Sequence, residues 1–270
     1  MRQFWHAWWV AGRIVGLALR ARLEYRAEFL LNVAVGAVWQ TSVLVFATVL
    51  ISRFSGLGGW PSDAVLLMVA VRLLGHALYV LVFERIHKLA FILQEGLLDG
   101  YLLRPMPVYR QIQLAHFPTN AVGDLAVGLS LFVGALWHVQ LDWTWPKALL
   151  LGAAVFGGML MEAAIGTVIS SAALRFPASF YWYTWVEELT ATFGNYPLKI
   201  LPGFVSGLFT FVLPVAFCAY LPVAVVSGNT EGIGVPVALA AASPLVGLAA
   251  FVLARMVWFR SLRSYSGWNG

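Results

Sequence analysis

The sequence predicts an all-α membrane protein with six transmembrane helices, an N-terminal amphipathic helix at the membrane interface, and both termini in the cytoplasm. Three observations carry this. Of 270 residues, 61% are apolar or aromatic and only 11% are charged, whereas soluble domains hold about 25% charged residues. Too few polar side chains remain to cover a water-facing surface. Six apolar stretches approach the roughly 20 residues that a helix needs to cross the hydrocarbon core. Lys and Arg divide unequally between the loops that alternate along the chain, as they do across a membrane.

Residues 2–27 read as a helix lying on the membrane, within an interfacial segment 1–28. At about 100° per residue, Arg2, His6, Arg13, Arg20 and Glu24 share a narrow arc, with Phe4, Trp5, Trp8, Val15, Leu19 and Leu23 beside it. A basic face next to aromatic residues is the interfacial pattern. The first span, 29–51, is uncharged throughout; it begins too late and runs too long for a signal peptide.

The other spans are expected at 64–83, 121–141, 148–174, 201–226 and 235–259. The flanks on one side hold Arg2, Arg13, Arg20, Arg22, Arg26, Arg85, Lys88, Arg104, Arg110, Arg175, Lys199, Arg255, Arg260 and Arg263. The other side holds only Arg53 and Lys147. Fourteen against two places both termini in the cytoplasm. Trp60, Trp137, Trp143, Trp145, Tyr181, Trp182, Tyr183, Trp185 and Trp258 gather near span ends, where amphipathic rings anchor at headgroup level.

The longest cytoplasmic loop, 84–118, opens with an amphipathic segment at 84–103. Ile86, Leu89, Ala90, Leu93, Leu97 and Tyr101 form one stripe, opposite Glu84, Lys88, Glu95 and Asp99. Two prolines in Arg104-Pro105-Met106-Pro107 end it. Such a helix either docks on a soluble partner or lies on the lipid surface.

Arg72 falls near the middle of the second span and Glu162 near the middle of the fourth. A charge at that depth costs about 2.5–3.5 kcal/mol on insertion scales and faces the bundle interior. The two are expected either to pair as a helix-locking salt bridge or to line a shared polar cavity, with His76 one turn beyond Arg72. Asp124 is expected close enough to a span end to reach water. Pro202, Pro214 and Pro222 interrupt the fifth span, so 214–234 is expected as a broken, re-entrant piece near the outer face.

Several chemistries find no support. There is no phosphate-binding G-x-x-x-x-G-K-[ST] loop, no H-E-x-x-H motif and no Gly-x-Ser-x-Gly. The five His are scattered, and the lone Cys218 lies in an apolar run. The chain is therefore expected to hold no catalytic residues, metal or cofactor, and not to bind nucleic acid despite a net charge of +5.

Local sequence landmarks resemble a known family. Leu23-Glu24-Tyr25-Arg26-Ala27-Glu28-Phe29-Leu30, Gly58-Gly59-Trp60, Gly96-Leu97-Leu98-Asp99 followed by Leu102-Leu103-Arg104-Pro105, Tyr196-Pro197-Leu198-Lys199-Ile200, Leu213-Pro214-Val215-Ala216-Phe217, Tyr220-Leu221-Pro222 and Tyr265-Ser266 occur in order. Together they resemble ABC-2-type exporter permeases, in a bacterial branch grouped with viologen and multidrug exporters. The resemblance implies a multi-pass permease subunit of the bacterial inner membrane, paired with a second permease of the same or a related chain. A cytoplasmic ABC ATPase dimer carrying ATP and magnesium would drive it. The loop segment would be the coupling helix, with Glu95, Gly96, Leu97, Leu98, Asp99, Tyr101, Arg104 and Pro105 at the ATPase, and the N-terminal helix would be the connecting helix. The alternatives are a secondary transporter or channel working without an ATPase, or a membrane anchor subunit.

Overall fold

The computed structural model describes residues 2–53, 57–176 and 180–265, with backbone only at 2–8, 10, 11, 50, 52 and 180. The side chains of Arg2, Phe4, Trp5, His6 and Trp8, and all of Ser266, lie outside the described residues. The chain begins with α1 (Arg2–Glu24), bends at Tyr25 and continues directly into α2 (Arg26–Arg53). Glu28 in the first turn of α2 and Arg53 in its last turn match the signs of the helix dipole. A tight turn follows, with Gly58 at φ 62° and Gly59 at φ 83°. Two successive left-handed residues make this a turn for glycines, and it delivers Trp60 to the head of α3 (Ser62–His87).

Helix α3 is the axis of the molecule. Nearly every residue from Ala64 to Val80 is buried, which explains why its sequence is apolar all round rather than on one stripe. Asp63 in its first turn accepts from the Ala64 amide at 2.9 Å and from the Gln140 amide at 3.4 Å. That ties the head of α3 to the end of α7 (Asn120–His138). Around α3 pack α2, α7 and α8 (Trp145–Ala173), and α13 (Ser243–Arg263) lies against α8.

Glycines set the closest approaches. A methyl group on Gly123 of α7 would overlap the Val33 carbonyl of α2, and one on Gly36 would overlap the Asn120 carbonyl. Across α8 and α13, Gly157 meets Pro244 and Gly247 in the same way. Small residues let helix backbones touch, which is how helices gain packing energy in lipid, where tails are as apolar as leucine.

Among the described residues, five helices are long and apolar enough to cross a membrane: Arg26–Val49, Ser62–Gln94, Asn120–His138, Trp145–Ala173 and Ser243–Arg263. The expected fifth span at 201–226 is not one helix. It consists of α10 (Gly203–Gly207), a π-helical turn Leu208–Val212, a 3-10 turn Val215–Phe217 and α11 (Tyr220–Ser227). Pro202, Pro214 and Pro222 lack the amide that a continuing helix would need. Helix α9 (Phe180–Phe193), in the stretch expected as a cytoplasmic loop, instead packs on α8 and faces α3. Its Tyr183 stacks on His87, Gly194 beyond its end lies against Arg72, and Ile200 reaches Gly58. Residues 183–200 thus climb the full length of α3 from its C-terminal end past its N-terminal end. Lys199 accordingly sits with the turn at 57–60, away from Arg175, which hydrogen-bonds Ser264 at the other end of the bundle.

Further differences follow from local chemistry. The last long helix starts at Ser243 with Pro244 in its first turn, after the short α12 (Val237–Ala241), rather than at 235. Trp60 and Trp258 are buried rather than interfacial: Trp60 stacks on Tyr220 at 5.3 Å, and Trp258 meets Tyr109 edge-on at 5.2 Å. Asp124 is buried too, beneath the close approach at Gly36.

Candidate functional site

Arg72 and His76 stand one turn apart on α3, on the face toward α8. Gly75 between them faces the Val155 carbonyl and Gly158 of α8 with room for no more than a methyl group, so the two helices approach closely there. Glu162 of α8 receives both partners. Arg72 Nη1 forms an ion pair with one carboxylate oxygen, and His76 Nδ1 lies 2.8 Å from the other. Arg72 and Glu162 are 4% and 6% exposed, His76 19%. A pair this dry is held by geometry, because either charge left alone would bear its full desolvation cost. Arg72 Nε is buried with no hydrogen-bond partner.

Beside the pair opens a cavity of ≈ 360 Å³ between α2, α3, α8 and α9. That lies within the range of small-molecule pockets, about 300–1,000 Å³. Trp39, Tyr79 and Tyr183 give it aromatic walls, and Glu187 and Glu188 of α9 add two carboxylates. Toward the C-terminal end of α3, the Tyr79 hydroxyl lies 2.6 Å from His87 Nδ1. The Tyr183 ring stacks on His87 at 4.0 Å, and Glu187 lies one turn further along α9. Three carboxylates therefore face one guanidinium, and the cavity is acidic. Among the described residues no cluster of His, Cys, Asp or Glu is arranged to hold a metal ion.

Sequence reasoning singled out Arg72, His76 and Glu162 but not Tyr79, His87, Tyr183, Glu187 or Glu188. The aromatic run of α9 around Glu187-Glu188 was the available signal. Two acids there lower hydropathy enough to make the segment read as a loop.

The segment at 84–103 is built differently from one continuous helix. Helix α3 ends at His87, α4 (Leu89–Gln94) follows, Gly96 turns the chain at φ +67°, and α5 (Leu98–Leu102) resumes. A left-handed residue is natural for glycine and ends a helix. The turn shifts the register of the apolar stripe: Ile86, Leu89 and Leu93 are buried as the spacing predicts, but Leu98 is fully buried while Leu97 is 49% exposed. Glu95, Asp99, Arg104 and Pro105 are exposed, as are Leu102 and Leu103. Arg104 lies over the Tyr101 ring at 5.5 Å. Helix α6 (Val108–Leu114) braces this tip, where Gln111 Nε2 donates to the carbonyls of Tyr101 at 2.8 Å and Met106 at 2.5 Å. Tyr265 stands near Asp99 on the other side; burial and that carboxylate push its pKa up.

A bundle of long apolar helices around a buried ion pair and a cavity suits a multi-pass membrane protein. The profile of the family described as ABC-2 family transporter protein matches residues 37–268, and the chain belongs to that family. No curated protein and no solved structure matches the chain significantly.

Proposed function

We propose that the chain is the permease subunit of an ABC exporter, two permeases forming the pathway and separate cytoplasmic ATPases supplying the energy. Family membership over 37–268 supports the permease assignment. The single observation that carries the ATPase partnership is the exposed tip at 95–105, where Leu97, Leu102 and Leu103 face outward on a turn braced by Gln111. Exposed leucines rimmed by Glu95, Asp99 and Arg104 suit a protein groove better than water. ATP and magnesium reside on the partner.

In this reading residues 180–200 make the fifth crossing and 203–234 form a re-entrant piece near the outer face. Their contacts along the length of α3 support it. The acidic, aromatic-walled cavity then serves cargo, and its charge favours an amphiphilic cation, since a guanidinium or ammonium over an aromatic face gains cation–π attraction. Multidrug efflux at the bacterial inner membrane is the corresponding physiological role.

Leu97→Asp and Asp99→Arg test the partnership. Each is expected to abolish co-purification with the ATPase and coupled ATP hydrolysis while leaving the permease folded. An intact, coupled complex in both variants would refute docking through this tip.

A further inference from the structure

A second cleft lies at the other side of α3, away from the acidic cavity. It has a volume of ≈ 420 Å³ between α1, the end of α3 and the segment 110–118. Val15 and Ala18 of α1, Leu81 and Val82 of α3, and Leu114 and Phe117 make its walls apolar. Leu81, Val82, Gln113, His116 and Pro118 also line a separate recess of only ≈ 10 Å³, which adds Glu84, Arg85 and Lys88.

The head is basic. Arg110 lines the cleft, and Arg22 of α1 reaches across to His116, its Nη2 2.7 Å from the ring Nδ1. Arg85 and Lys88 stand in the recess, and Arg85 Nε is buried without a hydrogen-bond partner. Glu28 pairs with Arg22 at 3.0 Å and Glu84 with Lys88 at 3.2 Å. The positive surplus is felt locally, since burial and then Arg22, Arg85 and Lys88 hold the His116 pKa down at about 4.

We propose that this cleft binds one anionic phospholipid, with an acyl chain along its apolar walls and the phosphate at its head beside Arg22 and Arg110, within the field of Arg85 and Lys88. A soluble anion would use only the head and leave a water-filled apolar slot behind it. A lipid satisfies both ends, and it arrives from the side, where half-exposed Val82 opens the slot toward the bilayer. Basic pockets between helices at the charged end of a bundle are the usual seat of anionic headgroups. The lipid would hold α1, which otherwise touches the bundle sparingly, against α3 and α6.

Native mass spectrometry of the full chain released from vesicles of equal phosphatidylglycerol and phosphatidylethanolamine tests this. One phosphatidylglycerol per chain is expected to be retained in preference to phosphatidylethanolamine. R85Q/K88Q should weaken retention roughly tenfold or more, and Ala18→Trp should displace the lipid with every charge still in place. Arg22→Gln, on a helix outside the bundle, gives the same charge test should R85Q/K88Q not fold. Equal retention of the two lipids, retention unchanged by the variants, or ready displacement by inorganic phosphate would each overturn the proposal.

Discussion

Glu162 is the residue on which the interior of the bundle turns. Its two carboxylate oxygens are used by different partners, Arg72 and His76, so neutralising it strands a buried guanidinium. Breaking a buried pair from one side costs about 3–5 kcal/mol, and Glu162→Gln is expected to lower the melting temperature in detergent and abolish transport. The swap R72E/E162R restores an opposite-sign pair at the same place. Transport regained in the double variant but absent in each single one is the expected result; no recovery would show that orientation toward His76 or cargo matters beyond pairing. His116 gives a pH dependence outside the spans. Its pKa is held at about 4, first by burial and then by Arg22, Arg85 and Lys88, against an ordinary value of about 6.5. The folded state therefore favours neutral imidazole. The stability this contributes is present above about pH 6.5 and is lost as pH falls toward 4. Hydrogen-exchange protection in 108–118, taken relative to the intrinsic rate at each pH, is expected to fall over that window in the native chain, and His116→Gln to remove the dependence.

At the scale of elements, the approach of α2 and α7 depends on having no side chain at Gly36 and Gly123. Gly123→Leu is expected to force the helices apart and destabilise by about 1–3 kcal/mol, read as a fall in melting temperature. Gly134→Leu, on the same helix but facing open space, should change little. The loop tip shows how far periodicity is legible. The stripe through Ile86, Leu89 and Leu93 follows from 3.6-residue spacing, and the structure buries all three. Beyond Gly96 the spacing argument fails by one residue, because a left-handed turn restarts the helix in a new register and buries Leu98 in place of Leu97. Tyr79, His87, Tyr183 and Glu187 were illegible for another reason. Each is an ordinary residue in its own segment, and only the packing of α9 beside α8 and α3 brings Tyr79, Tyr183 and Glu187 to one cavity and stacks Tyr183 on His87.

At the scale of the molecule, the course of 175–200 decides the topology. Arg175 meets Ser264 at one end of the bundle, and Lys199 lies with Gly58 and Gly232 at the other. In our reading this segment crosses the membrane, which moves Lys199 to the outer side and leaves the positive bias at thirteen against three by the residues named above. Lys199→Cys in a Cys218→Ser background is expected to react with an impermeant thiol reagent from outside intact cells. Arg175→Cys should react only after permeabilisation, and labelling of both from the same side would sink this path.

Composition, six apolar stretches and the partition of Lys and Arg were enough to determine a helical membrane chain and to single out Arg72 and Glu162, because the cost of charge in hydrocarbon applies to each residue wherever its partners are. Which apolar stretch is one helix, and which residues share a cavity, only the tertiary structure decided. Helix α9 brings Glu187 and Glu188 to the cavity beside α3, where hydropathy reads a loop, while three prolines break the more apolar 203–227 into short pieces. Hydropathy averages over a segment, whereas burial and backbone hydrogen bonding are settled by the neighbours each residue finally meets.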